Sequence, residues 1–149
     1  MILLLHPRST RPKNRRFPLS VLALGAVLEG REDYEIVDGN IDPYPMESIH
    51  RIAREKPLEM LGVSVMPGPQ MVHAIALSKE FRASYPKVPI VWGGYFPSLY
   101  PDAALNAPYV DILVRSQGED TLPELLGAIR EKRDFRGIPG VSYKDAFGL

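Results

Sequence analysis

The sequence predicts an α/β domain with a flavodoxin-like or Rossmann-like open parallel sheet. Five strands in the order 2-1-3-4-5 carry helices on both faces. Two observations predict this. Short apolar runs of β type alternate five times with longer amphipathic runs. The short runs are almost continuously apolar, as strands covered on both sides are, and lack the polar alternation of a half-wet sheet. Right-handed crossovers between parallel strands then leave few topologies.

The elements follow in order. "ILLL" (Ile2 to Leu5) reads as the first strand. "PLSVLALGAVLEG" reads as a helix: Pro18 suits its first turn and Gly30 its end, and Leu19, Leu22, Ala23, Ala26 and Val27 repeat at helical spacing. Gly25 inside it marks a close helix–sheet approach. "YEIVD" is the second strand, followed by a helix with Met46, Ile49, Ile52 and Ala53 on one face and Pro57 as its stop. "LEMLGVSV" is the third strand. The next helix carries Met71, Ala74, Leu77, Phe81 and Tyr85 as its stripe. "VPIVW" is the fourth strand, and a short helix is expected over Asp102 to Asn106. "VDILV" is the fifth. A final helix starts with a capping box, Thr121 and Glu124, and turns Leu122, Leu125, Leu126 and Ile129 inward. The tail holds one more β-type run, "GVSY".

Composition sets outer limits. A chain of 149 residues that is 45% hydrophobic can bury one sizeable core. Eighteen Lys and Arg balance eighteen Asp and Glu, so no net field draws the domain to nucleic acid or an anionic membrane. No apolar run is long enough to span a bilayer, and "MILLL" is too short for a signal-peptide core. The absence of cysteine excludes disulfides, thiolate metal sites and a cysteine nucleophile, and fits a cytoplasmic setting.

In such sheets ligands bind beyond the carboxyl ends of the strands. The loops there lack a dinucleotide fingerprint, a P-loop and a nucleophile elbow. His6, His50 and His73 have no metal-ligand spacing. What stands out is a set of small residues: Gly62 and Ser64 in the third strand, Gly93 and Gly94 closing the fourth, and Gly118 after the fifth. Bare backbone at strand ends lets a flat or rod-like ligand lie against the sheet. The helix start near Thr121 favours a phosphate, but Glu119 and Asp120 beside it oppose a bare anion. Five cations and no acid occupy Arg8 to Arg16, namely Arg8, Arg11, Lys13, Arg15 and Arg16. A solvated loop and a loop that meets a ligand or partner both stay open. Nucleic acid is disfavoured, because aromatic interleaving is limited to Phe17.

These residues carry a family resemblance. "FPLSVLALGAVLE", "VDGN", "LGVSVM", "VPIVWGGYFPSLYPDAAL", "VDILVRSQGEDTLPELL" and "IPGVSY" occur in order along nearly the whole chain. Together they resemble the cobalamin-binding domain that precedes the catalytic barrel in cobalamin-dependent radical SAM enzymes. The resemblance implies that Ser64, Val65, Met66, Gly93 and Gly94 line a slot for the cofactor's nucleotide tail. Tyr95, Phe96 and Pro97 would continue along the rim. Gln117, Gly118 and Glu119 match a loop that commonly reads Gly-Glu-Gly-Glu, of which Ser116 and Gln117 replace the first two. Relatives of the mutase type carry D-x-H-x-x-G after the first strand, with a histidine on cobalt. Here the loop reads "HPRSTRPK", so the expectation is base-off cobalamin with no protein imidazole, its lower face covered by Pro7, Arg8 and neighbours.

The implied function is a cobalamin-binding module of a methyltransferase or cyclase, not a catalyst by itself. A [4Fe-4S] cluster and S-adenosylmethionine would belong to a further domain absent from this sequence. Residues 1–136 would form the module, and 137–149 a linker or the start of that domain. Two other readings remain: a stand-alone regulatory or interaction domain of the same fold without corrin, and a flavin- or nucleotide-binding domain.

Overall fold

Six strands form one sheet in the order β2-β1-β3-β4-β5-β6. The computed structural model describes residues 1–144. The strands are β1 (Ile2–His6), β2 (Tyr34–Asp38), β3 (Met60–Ser64), β4 (Ile90–Gly93), β5 (Ile112–Val114) and β6 (Val141–Tyr143). The first five are parallel in the expected order. The sixth corrects the expectation of five: "GVSY", the β-type run in the tail segment, pairs antiparallel with β5 and makes the sheet mixed. The rest of that segment, residues 145–149, lies outside the described residues.

The connections are α1 (Leu19–Leu28), α2 (Pro45–Glu55), α3 (Pro69–Ser84), α4 (Tyr95–Leu99), α5 (Pro101–Leu105) and α6 (Gly118–Glu131). Alternating side chains of each strand feed two cores, one on each face of the sheet. Leu3, Leu5, Leu61, Val63, Trp92 and Leu113 meet Ile49, Leu77 and Phe81 of α2 and α3. Ile2, Leu4, Met60, Val91, Ile112 and Val114 face Val21 and Leu28 of α1 and Leu122, Leu125 and Leu126 of α6.

The expected stripes of α2, α3 and α6 are the ones that face the core. That of α1 is not. Val21, Gly25 and Leu28 are buried, whereas Leu19 and Leu22 face solvent. The helix is apolar almost all round, so spacing alone could not choose its inner face. Gly25 does mark the close approach: a Cβ there would sit 2.9 Å from the Tyr34 ring.

Two helix starts also differ. The turn after Gly94 begins at once as α4, so Tyr95, Phe96 and Pro97 are helical rather than loop. Helix α6 begins at Gly118, three residues before the expected capping box, with no side-chain cap. Thr121 lies inside it and directs its hydroxyl to the carbonyls of Gln117 (3.3 Å) and Pro139 (3.1 Å). That ties the tail leading into β6 to the helix.

Candidate functional site

The strand register arranges the α1–α6 side of the sheet in rows. Ser64, Gly93 and Val114 are neighbours at the carboxyl end. Two residues deeper lie Leu4, Gly62 and Val91. Two of these six positions are glycine, and they fall on one face of adjacent strands. The missing side chains leave a cleft of about 150 Å³ between the sheet, α1 and α6, open to solvent at its mouth. Leu4, Met60 and Val91 form the wall on the sheet side, Val21, Leu24 and Leu122 the helical walls. From the Ser64 row to Met60 the strand spans roughly 13 Å, which makes the cleft a deep slot.

The two consecutive glycines do different work. Gly93 has ordinary backbone angles, and a Cβ on it would have only the Val114 carbonyl near, at 3.4 Å. Its missing side chain is free space in the slot. Gly94 sits at φ 98°, and a Cβ there would stand 3.1 Å from the Val65 carbonyl oxygen and 3.2 Å from its nitrogen. It makes the turn that launches α4. Gly118 permits the helical side of the slot, since a Cβ on it would press Leu24 at 3.0 Å.

Polar side chains on the slot wall are few. Ser64 is buried, and its Oγ lies 2.8 Å from the Oγ of Ser20 in α1. Ser116 and Glu119 stand at the mouth. Ser116 replaces the family-like glycine yet keeps a left-handed backbone at φ 65°, and its N–H donates to the Ser98 hydroxyl at 2.9 Å.

The other expected site residues do not line the slot. Val65 is fully buried and Met66 is exposed. Tyr95 is exposed, Phe96 packs against the opposite core, and Pro97 is buried. Gln117 precedes α6. Pro7 and Arg8 lead the loop after β1. Thus Ser64, Gly93, Gly94, Gly118 and Glu119 line the slot, and the other expected residues do not.

The rim is conspicuously apolar. Phe17 (82% exposed), Leu19 (72%), Met66 and Tyr95 lie in the β–α connections or first helical turns at the carboxyl end of the sheet, and the exposed Leu99 and Tyr100 close the short helix α4. An exposed apolar surface of this kind marks a binding face.

Loop Pro7–Pro18 is held in place by hydrogen bonds with Asn40, Gln70, His73 and His6. Asn40 is buried, and its Oδ1 accepts the N–H groups of Ser9 (2.9 Å) and Thr10 (3.2 Å). Gln70, also buried, accepts the Met66 N–H at 2.9 Å and donates to the Pro7 carbonyl at 3.2 Å. The Arg8 N–H donates to Nδ1 of His73 at 2.7 Å. His6 is buried, with Nε2 3.3 Å from both the Ser9 hydroxyl and the Gln70 amide nitrogen. Its ring is engaged inside the loop, not presented at the slot. Asn40 ends the "VDGN" segment that carries the family resemblance, whereas nothing in the sequence marks Gln70. Replacing Asn40 by alanine is expected to free two loop N–H groups and speed tryptic cleavage at Arg8 to Arg16 several-fold, read by timed digestion.

Burial pushes His6 below its ordinary value of 6.5, against the pull of Asp38. Burial also lowers His73, and the Arg8 charge adds to that. Both imidazoles are therefore held neutral in the fold. Their contribution to stability is whole above the unfolded value of 6.5 and is lost as pH falls through the lower folded values. The melting temperature is expected to drop on acidification from pH 6.5 downward, with a shallower slope in His73→Gln.

An open α/β sheet with an apolar slot beyond the carboxyl ends of its parallel strands defines a class of domain that binds ligands at that end. The model of the B12-binding domain matches residues 10–126, and the chain belongs to that family. It is 29% identical, over 93% of its length, to the anaerobic magnesium-protoporphyrin IX monomethyl ester cyclase of Synechocystis sp., covering 29% of that protein. An uncharacterised methyltransferase of Pyrococcus horikoshii is 27% identical over 86% of this chain and 28% of its own length. The radical S-adenosylmethionine methyltransferase TsrM of Kitasatospora setae, solved with cobalamin and a [4Fe-4S] cluster bound, superposes with a TM-score of 0.82. It is 26% identical over 95% of this chain and 26% of its own. The chain thus spans under a third of each relative.

Proposed function

We propose that this chain is the cobalamin-holding module of a cobalamin-dependent radical SAM enzyme of methyltransferase or cyclase type. The observation that supports it most is the slot that Gly62 and Gly93 leave at the strand ends. A packed strand end would have favoured a regulatory domain without a ligand. The fit is chemical as well as spatial: an apolar cleft with a hydroxyl pair at its upper row suits an aromatic base on a nucleotide tail, and the apolar rim suits a corrin face.

In this reading Ser64, Gly93, Gly94, Gly118 and Glu119 surround the tail. Pro7, Arg8, Met66 and Tyr95 border the ring, over Val65, Phe96, Pro97 and Gln117. When bound, cobalamin supplies a cobalt centre able to take up and give up a methyl group; this chain holds and orients it and excludes water. His6 is committed to Ser9 and Gln70, which supports base-off binding with no imidazole from this domain. The cluster and S-adenosylmethionine would be held by a separate domain, since this chain has no cysteine. No helix among the described residues is long and apolar enough to cross a membrane, and a cytoplasmic enzyme fits the absence of cysteine.

The test is retention of hydroxocobalamin by this chain after desalting, with the visible spectrum recorded. Retention in the base-off form, with the same spectrum in His6→Ala, is expected. A base-on spectrum, or one altered by His6→Ala, would overturn the axial assignment. No retention would overturn the reading itself.

A further inference from the structure

We propose that Ser20 and Ser64 form a recognition pair that selects corrinoids with a benzimidazole lower base over those with a purine. The inference rests on the proposed function and deepens it.

The argument is a count of polar groups. Two serine hydroxyls carry two protons, and the 2.8 Å contact between Ser20 Oγ and Ser64 Oγ consumes one. One O–H is left to point at a ligand. Below this pair the wall turns apolar or bare: Leu4, Gly62 and Val91 in the next row, Met60 beneath, with Val21, Leu24 and Leu122 from the helices. Ser116 and Glu119 belong to the mouth, after β5 and in the first turn of α6.

A benzimidazole joined to ribose has one unsubstituted ring nitrogen, an acceptor, and is otherwise hydrocarbon. It matches one donor above an apolar floor. A purine has further ring nitrogens, and adenine adds an amine. Seated in the same slot, these would face Leu4, Val91 and Met60 without partners. Leaving buried polar groups unpaired weakens binding by roughly tenfold to a hundredfold. Ser20 is the new element, a lone hydroxyl in the first turn of a largely apolar helix. Its bond also orients Ser64, so it acts on selectivity from the helix side.

The experiment titrates this chain with three corrinoids and reads binding by changes in the visible spectrum. They are cobalamin, the analogue with adenine as lower base, and cobinamide, which has no nucleotide tail. Expected is cobalamin tightest, the adenine analogue at least about tenfold weaker, and cobinamide weaker than cobalamin. Ser20→Ala should weaken cobalamin several-fold and leave cobinamide unchanged. Equal binding of cobalamin and the adenine analogue, with cobinamide weak, would overturn the selectivity and leave the tail slot standing. Cobinamide as tight as cobalamin would overturn any role for the slot. No binding of any corrinoid would overturn the proposed function, and this inference with it.

Discussion

Gly93→Leu is expected to lose cobalamin retention by on the order of a hundredfold or more while the domain stays folded. The backbone at position 93 is ordinary, so a side chain is accepted without strain. The face it would occupy looks onto the slot beside Ser64 and Val114. An isobutyl group there takes the volume that a bound tail needs, and a close-packed site cannot hold both. The new side chain would lie among Val91, Val114 and Leu122, so the melting temperature should hold or rise. Equilibrium binding measured beside a thermal melt separates the two effects. Wild-type affinity in this variant would show that the tail, if bound, lies elsewhere.

The neighbouring glycine gives the opposite pattern. Gly94→Ala is expected to cost about 2–3 kcal/mol of stability, a fall in melting temperature of roughly 5–10 °C. Two effects combine. A left-handed backbone at φ 98° disfavours any side chain, and the added Cβ would press on the Val65 backbone at 3.1 Å. Backbone yields less readily than a side-chain end. Chemical denaturation reads the loss directly. The same melting temperature as wild type would mean that the turn into α4 relaxes without strain. One glycine therefore supplies room and its neighbour supplies direction, a division that the letters "GG" do not reveal.

Much of the fold was legible because the signals were local. Continuous apolar runs identified the five parallel strands, and one-sided stripes oriented α2, α3 and α6. Where a signal was two-sided it failed. Helix α1 is apolar nearly all round, and its inner face is chosen by Gly25 fitting against Tyr34, a contact between distant residues. The capping box at Thr121 and Glu124 read well as a motif, but the Thr121 hydroxyl is drawn to Gln117 and Pro139. Strand β6 is short and borrows its order from β5, so its own composition could not place it. The small residues of the slot were visible as letters. That Gly62 and Gly93 share a face follows only from register. Ser20 and Gln70 escaped notice because an isolated serine or glutamine carries no pattern.

The antiparallel run of β6 has a consequence for tethering. Tyr143 pairs with Ile112, at the start of β5 and far from the apolar rim, and the Lys144 side chain donates to the Ala107 carbonyl at 2.6 Å. Under the proposed function, a catalytic domain that followed this tail and sat over the rim would need a linker spanning the height of the sheet, roughly 16 Å for a five-residue strand such as β1.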